Sequence, residues 1–182
     1  MKNILAIIIL GFCFQLNAQR IVAIEKRENY TFNDLQKNIY FKDINGVFNK
    51  FLGKWIYKND NDIVEIEVLK MEKVVFEEDN YYLDELCVKI KQLRNNEVIF
   101  DTFNIPGCII SGGFFMKSNK TNNVELIFQE LNDYWTCGHI SRLTLKSIKR
   151  KPNELYWHIE KNAIMFNKTA EEMPLDMVFI KV

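Results

Sequence analysis

The sequence contains little glycine, proline or histidine, and it has no excess of charge of either sign. With 7 glycines and 3 prolines among 182 residues, collagen-like and proline-rich architectures are excluded. Lys and Arg together number 24, as do Asp and Glu, so no cationic field is present to hold nucleic acid or an anionic membrane. Dinucleotide-binding, P-loop, H-E-x-x-H and G-x-S-x-G motifs are also missing, which argues against an enzyme.

The chain is instead rich in apolar and aromatic residues, which make up 48% and 13% of the total. Such a composition excludes global disorder, and a chain of this length can bury a substantial core within one domain.

The first eighteen residues have the pattern of a secretory signal peptide. Lys2 precedes an almost unbroken apolar stretch, Ile4–Leu16, and Ala18 offers a small residue at the cleavage position. The stretch is too short for a comfortable membrane span, and bulky Phe12 before Cys13 does not fit a lipid-attachment site. We expect cleavage after Ala18 and a secreted or periplasmic protein with no transmembrane segment. An uncleaved anchor or a buried N-terminal helix is the alternative.

This interpretation divides the chain into three parts. We predict a signal peptide at 1–18, an irregular N-terminal arm at 19–39 and a single domain at 40–182. Two short helical segments are expected, one beginning at Thr31 and one between Asp43 and Phe51, where apolar residues repeat at three- and four-residue spacing.

Export would leave three cysteines in an oxidising compartment, where disulfides persist. Because three is an odd number, at most one intrachain bridge can form. The preferred pair is Cys108–Cys137, since both lie near predicted strand ends or loops, whereas Cys87 reads as a small residue within a strand. Three unpaired thiols are the alternative.

Beyond residue 53 the apolar pattern has a period of two. In one such segment Val64, Ile66 and Val68 share a face, while Glu65 and Glu67 share the other. Turn signals such as Asn95-Asn96 separate eight to ten short segments of this kind. The pattern predicts an all-β fold, an antiparallel meander that closes into a barrel. Predicted strands include 53–57, 63–69, 97–103, 109–110, 114–116, 124–129, 141–148, 155–160 and 177–182, with a further strand around Leu86–Ile90.

Three stretches carry a family resemblance. They are YFKDINGVFNKFLGKW from Tyr40 to Trp55, CGHISRLTL from Cys137 to Leu145, and MPLDMVFIK from Met173 to Lys181. Together they resemble a family of uncharacterised secreted proteins found mainly in Bacteroidetes, domain-of-unknown-function family 6705. The resemblance implies export and a strand-rich fold after a short helical segment, and it brings no established activity. The chain departs from the family pattern at Ile180, where a threonine is common.

The pair Gly53-x-Trp55 is also similar to the motif on the first strand of lipocalin-like, calycin-type barrels. That resemblance implies that Gly53 permits close packing, that the Trp55 indole closes the barrel floor, and that a cation from a late strand covers the ring. Arg142 and Lys181 are both candidates for that cation. The alternative is that Trp55 is one core aromatic residue of an ordinary β protein.

Other candidate chemistry is weakly supported. Cys137-Gly138-His139 lacks the second ligand pair that zinc needs, and the alternating Glu65 and Glu67 fit a solvated strand face. We therefore predict no catalytic residues, no metal site and no cofactor. In Tyr156-Trp157 one ring should point inward and one outward, and an outward tyrosine would make a good binding anchor.

Two functions fit these observations. The favoured one is an exported lipocalin-like barrel that binds a small apolar ligand in its mouth. The alternative is a solid, non-enzymatic barrel that acts as a protein-interaction or inhibitor module in the cell envelope.

Overall fold

A computed structural model describes residues 19–35, 38–76, 81–115, 121–129, 140–160 and 173–182. Within them the chain forms eleven strands in one sheet, a 3-10 helix at Ile24–Asn29 and a single helical turn, α1, at Phe32–Leu35. The strands are β1 (Arg20–Ala23), β2 (Ile39–Lys42), β3 (Gly53–Lys58), β4 (Asp62–Phe76), β5 (Tyr81–Arg94), β6 (Glu97–Asp101), β7 (Ile110–Phe114), β8 (Asn123–Gln129), β9 (Ile140–Ser147), β10 (Glu154–Glu160) and β11 (Asp176–Lys181).

Eight of these strands close an antiparallel barrel. β3 pairs with β4, and β4 pairs with β5. Each strand from β7 to β10 pairs with the next strand in the chain. The barrel closes where β11 pairs with β3 and where β7 pairs with β5. The predicted all-β, antiparallel barrel is therefore confirmed.

Strand alternation determines which side chains enter the barrel. On β4, Val64, Ile66 and Val68 are almost fully buried, while Glu65 is exposed between them. The same alternation holds on β9, β10 and β11. Their buried, inward-facing residues are Leu143, Leu145, Leu155, Trp157, Ile159, Met177 and Phe179.

One edge of β5 is shared by three different segments. β2 pairs with Tyr82 and Leu83, β7 pairs with Leu86–Val88, and β6 pairs with Lys91–Arg94. The other edge of β5 pairs with β4, with a register shift between Met71 and Val74. β5 is thus the strand through which the N-terminal segment, the β6 hairpin and the barrel are joined.

The segment predicted as an irregular arm contains regular structure. β1 runs parallel to β2, and β2 runs parallel to β5. Tyr30, Phe41 and Tyr81 pack edge to face, so the arm covers part of β5 with aromatic rings. The helix predicted to begin at Thr31 is the turn α1, where the Thr31 hydroxyl donates to the Asp34 carboxylate.

Between β2 and β3 the chain forms successive turns where the sequence predicted a helix. The Asn49 amide donates to the Gly46 carbonyl and the Phe51 amide to the Phe48 carbonyl, both at three-residue spacing. Gly46 has a φ of +62°, a left-handed conformation that interrupts a right-handed helix. The Asp43 carboxylate accepts the amide of Val47, which holds the first of these turns.

These turns cross one end of the barrel. Phe48 and Phe51 are buried, and Phe48 stacks on Phe115 just after β7. The Lys50 ammonium donates to the side chains of Thr121 and Asn122, immediately before β8. Since β3 and β8 lie on opposite sides of the barrel, the segment closes that end.

The disulfide joins Cys87 to Cys108, which corrects the predicted Cys108–Cys137 pairing. Cys87 lies on the outer face of β5, because its neighbours Leu86 and Val88 face the core. The chain between β6 and β7 returns along β5, and it brings the Cys108 Cα to 5.7 Å from the Cys87 Cα. Cys137 lies outside the described residues.

Candidate functional site

At the start of β3, Gly53, Trp55 and Lys181 form one packed group. The Lys181 ammonium lies 5.0 Å from the centroid of the Trp55 ring, and the two residues are register partners on β11 and β3. A Cβ added to Gly53 would lie 3.3 Å from Lys181 Cε. The absence of a side chain at Gly53 therefore leaves room for the lysine to reach the indole.

Of the two cations that could have covered Trp55, Lys181 is the one at the ring. Arg142 lies on the outer face of β9, where its guanidinium is 3.7 Å from the Glu125 carboxylate and 3.5 Å from that of Glu160. The Arg142 side chain is exposed in both ion pairs, and so they contribute little to stability.

The two described tryptophans differ in how their indole N–H groups are bonded. Trp55 donates to the carbonyl of Phe51 at 2.9 Å, which ties β3 to the preceding turns. Trp157 is 0% exposed, and none of the described residues accepts a hydrogen bond from its indole nitrogen. As expected for adjacent aromatics on a strand, Trp157 points into the barrel while Tyr156 points outward.

Along the described strands the barrel interior is filled with apolar side chains. Val64 and Leu145 are 0% exposed and Ile66 is 1% exposed, as are most of their inward-facing neighbours. These residues therefore border no space large enough to hold a water molecule.

On the outer face a groove of about 220 Å³ lies across β3 and β4. Ile56 and the stems of Lys54 and Glu65 belong to its floor, while Phe103 and Val182 belong to its walls. The chain that carries Phe103 is fastened to β5, because the Lys89 ammonium donates to the carbonyl of Ile105 at 2.6 Å.

Next to this groove an apolar stripe runs along β11. Val178 and Ile180 point outward and are 43% and 49% exposed. Ile180 is the register partner of Ile56 in the groove, and Val178 is the partner of Tyr156 on β10. We name this surface, formed by Ile56, Tyr156, Val178 and Ile180, the β11 face.

Polar side chains fix the ring of Tyr156 at the border of the β11 face. Its hydroxyl donates to the Asp176 carboxylate, and His158 Nδ1 is 2.8 Å from the same oxygen. The hydrogen bond from Tyr156, and then the one from His158, hold the pKa of Asp176 below its usual value. The Tyr156 and His158 rings lie parallel, with their planes 6° apart, so Asp176 and His158 together position the outward tyrosine.

A second polar group lies where β2, β4 and β5 meet. The buried Asp84 carboxylate accepts the Tyr40 hydroxyl at 2.6 Å and the amides of Asp43 and Lys73 at 2.8 and 3.0 Å. Burial and the hydrogen bond to Asp84 raise the pKa of Tyr40. Tyr40 and Asp43 lie on and directly after β2, and Lys73 lies on β4, so the buried carboxylate joins these two segments to β5.

The described residues contain neither a cluster of metal-ligating side chains nor a helix of membrane-spanning length. Over those residues, no three His, Cys, Asp or Glu side chains converge as metal ligands. In the same ranges no helix is both long enough and apolar enough to cross a bilayer. His139, considered above with Cys137, lies outside them.

Comparison with known proteins gives one match. A family described as a family of unknown function (DUF6705) matches residues 1–182. The chain belongs to this family. No curated protein and no solved structure matches it.

Membership of DUF6705 confirms the resemblance seen in the three sequence stretches. The β11 face was only partly visible in the sequence. Val178 and Ile180 are two residues apart and so share one side of the last strand, but their alignment with Ile56 and Tyr156 depends on which strands are neighbours. Phe103 joins the groove only through the path that the chain takes between β6 and β7.

Proposed function

We propose that this protein is an exported, non-enzymatic β-barrel that binds another protein of the cell envelope through its β11 face. The observation that carries the proposal is the contrast between a filled interior and an exposed apolar outer face. Export is supported by the signal-peptide pattern at 1–18, and the disulfide between Cys87 and Cys108 is a bond that persists in that compartment.

The filled interior argues against the function that the sequence favoured, which is binding of a small apolar ligand inside the barrel. A lipocalin-like site needs a preformed cavity lined by inward-facing residues. Along the described strands, inward-facing residues such as Val64, Leu145 and Phe179 are packed against protein atoms. A macromolecular partner on the outside needs no rearrangement of these side chains.

The β11 face has the features of a protein-binding surface. Ile56, Val178 and Ile180 form a continuous apolar patch across two neighbouring strands, and Tyr156 adds an amphipathic ring at its border. Rigid aromatic residues beside apolar patches are frequent centres of binding energy. Asp176 holds the Tyr156 hydroxyl, so little conformational entropy is lost when a partner covers the ring.

The groove beside this face indicates what the partner presents. Its volume of about 220 Å³ is suited to a single large apolar side chain. Lys54 and Glu65 border it with opposite charges, so a partner with both an acidic and a basic residue next to its apolar anchor would be electrostatically complementary. We therefore expect a protein ligand with one aromatic or leucine anchor flanked by both charge signs.

The test combines crosslinking with a matched pair of variants. A photocrosslinking amino acid in place of Val178 in the exported protein should capture a partner that mass spectrometry can identify. With that partner purified, Ile180→Glu should weaken binding at least tenfold, because a carboxylate would be buried in the apolar patch. Ile127→Glu, on β8 and three strands away, is the control and should leave binding unchanged.

Three results would contradict the proposal. One is a crosslink only to a second copy of this chain, which would make the β11 face a dimer interface. Another is an equal loss of affinity in Ile180→Glu and Ile127→Glu. The last is the absence of any crosslinked protein from cells that export the chain at its natural level.

A further inference from the structure

The hairpin strand β6 is an edge of the sheet. Among the described strands it pairs only with β5, whereas each strand of the barrel has a neighbour on both sides. Its centre is apolar, since Val98, Ile99 and Phe100 follow one another, and the first two are 53% and 36% exposed. An exposed apolar edge offers backbone N–H and C=O groups to another extended chain. β6 is therefore a candidate surface for the addition of a strand.

The backbone of β6 presents hydrogen-bonding groups on its open side. The Thr102 amide donates to the Ile90 carbonyl on β5 at 2.8 Å. Because these directions alternate along an antiparallel strand, the N–H and C=O of the preceding residue, Asp101, point away from β5. At the other end, Glu97 follows a two-residue turn and pairs with β5, so the next residue, Val98, also directs its N–H and C=O outward. Donors and acceptors thus lie near both ends of the open side.

Both ends of β6 are acidic, and this determines which strand can pair with it. Glu97 is the first residue of the strand and Asp101 is the last. If two copies of the chain paired through β6, an acidic end of one would lie beside an acidic end of the other in either orientation. Like charges brought together across an interface are unfavourable. A segment with a basic residue at each end would be attracted instead.

The cations on β5 do not cancel these charges. Arg94, the register partner of the first residue of β6, lies 2.9 Å from the Asp62 carboxylate. Lys91, the register partner of the last residue, is also the partner of Glu65 on β4. Each cation therefore lies between two carboxylates, and the hairpin keeps an excess of negative charge along its edge.

A β-bulge also favours a flexible partner. Val98 and Phe100 oppose consecutive residues of β5, which makes Ile99 the extra residue of the bulge. A bulge bends its strand and increases the local twist, and such twisting is one way in which proteins prevent folded edges from pairing. A disordered segment can take up this twist as it becomes ordered on binding.

We propose that β6 binds an extended, otherwise disordered segment of another protein by strand addition, and that this segment has an apolar centre and a basic residue at each end. Main-chain hydrogen bonds to Val98 and Asp101 hold the segment, and the acidic ends of β6 select its charges. The strand is separate from the β11 face, because β5, β4 and β3 lie between them. This binding does not depend on the partner proposed for that face.

The experiment uses the mature full chain and three synthetic hexapeptides as probes. KVTVTK has basic ends, EVTVTE has acidic ends, and the third peptide is KVTVTK with its central amides N-methylated. Fluorescence anisotropy at low ionic strength, where charges are least screened, gives the affinities. KVTVTK should bind about tenfold more tightly than EVTVTE, since two attractive charge contacts replace two repulsive ones. N-methylation should abolish binding, because it removes main-chain donors and leaves the charges in place.

The position of the bound peptide is measured by nitrogen-15 NMR. KVTVTK should shift the amide signals of Val98 and Asp101 saturably and slow their hydrogen exchange, because both amides point to the open side. EVTVTE at the same concentration should have a much smaller effect.

A matched pair of variants tests the strand itself. Ile99→Lys should weaken KVTVTK roughly threefold or more, because it places a like charge at the apolar centre of the edge. Ile127→Lys is the control, since Ile127 is exposed to a similar degree on β8, which pairs on both sides. Glu97→Lys should bring the affinities for KVTVTK and EVTVTE closer together. Ile180→Glu, on the β11 face, should leave peptide binding unchanged.

Equal affinity for KVTVTK and EVTVTE would overturn the proposal, as would undiminished binding of the N-methylated peptide. Amide shifts confined to β1 or to the β11 face would also contradict it. Shifts of Val98 and Asp101 that depend on protein concentration in the free chain, with a dimer in sedimentation, would show that a second copy occupies the edge. If Ile99→Lys fails to fold, the three peptides on the wild-type chain decide alone.

Discussion

Lys181 on the last strand lies over the ring of Trp55 on the first strand of the barrel, with 5.0 Å between the ammonium nitrogen and the ring centroid. The pair bridges the seam where the barrel closes, and Gly53 provides the space through which the lysine stem passes. Ring, cation and glycine are thus one structural unit at the end that the turns between β2 and β3 cover.

Removal of the Lys181 charge should lower stability by a modest amount. We expect Lys181→Met to reduce the free energy of unfolding by about 0.5–1 kcal/mol, since methionine keeps most of the apolar stem and loses the cation–π attraction. Lys181→Arg should retain wild-type stability. Urea unfolding followed by tryptophan fluorescence measures both, and equal stability of all three proteins would show that the contact contributes nothing.

A side chain at Gly53 should be costly. The residue has a φ of +115°, and an added Cβ would lie 3.3 Å from Lys181 Cε. We expect Gly53→Ala to cost about 1–3 kcal/mol from backbone strain alone, and more from the contact. Gly107→Ala is the control, because that position has a φ of +77° with nothing within 4 Å of the added atom. Thermal unfolding should rank Gly53→Ala below Gly107→Ala, and the reverse order would contradict this account.

The hydrogen bond between Tyr40 and Asp84 should make stability fall at alkaline pH. Burial and the Asp84 carboxylate raise the pKa of Tyr40 above its ordinary value of 10.0, so the folded protein holds a proton that the unfolded chain releases. Stability from this group is complete below pH 10 and is lost as the pH rises further. Tyr40→Phe should cost about 1.5–3 kcal/mol at pH 7, as expected for a hydrogen bond to a charged group.

The control for this prediction is Tyr57→Phe, since the Tyr57 hydroxyl accepts an exposed hydrogen bond from the Asn59 side chain. It should cost little at pH 7. Urea unfolding between pH 8 and pH 11 should show the wild type losing its advantage over Tyr40→Phe as the pH rises. A constant difference across that range would contradict the assignment.

The disulfide should be the main covalent support of the segment between β5 and β7. Cys87 and Cys108 are 21 residues apart, and closure of a loop of that length is worth about 3 kcal/mol in the chain-entropy estimate. The double change to alanine should lower stability by about that amount. Peptide mapping without reduction should find Cys87 linked to Cys108, and alkylation of the unreduced protein should label Cys137. A Cys108–Cys137 peptide would contradict the structure.

The sequence was sufficient for the class of fold because strand alternation is a local property. Val64, Ile66 and Val68 reveal an inward face without any knowledge of neighbours. The segment from Asp43 to Phe51 shows the limit of that approach. Its apolar spacing suggested a helix. The repeat includes Phe48 and Phe51, which are buried, and Ile44, which is 57% exposed, and Gly46 and the Asp43 carboxylate turn the backbone away from a helix.

Pairings between distant parts of the chain could not be derived in the same way. Cys87 was correctly interpreted as a strand residue. Its side chain points outward, and it can meet Cys108 only because the chain after β6 returns along β5. The choice between Arg142 and Lys181 likewise depended on which strand lies next to β3. Both facts are properties of strand order, which alternation does not encode.

Closure through β11 has a consequence for how the chain folds. Until the last strand pairs with β3, a chain that has formed the other strands still presents unpaired edges on β3 and β10. Such edges are templates for pairing with other chains, and contacts between distant residues form slowly. A chain cut before β11 would keep both edges unpaired, and it should accumulate as insoluble material.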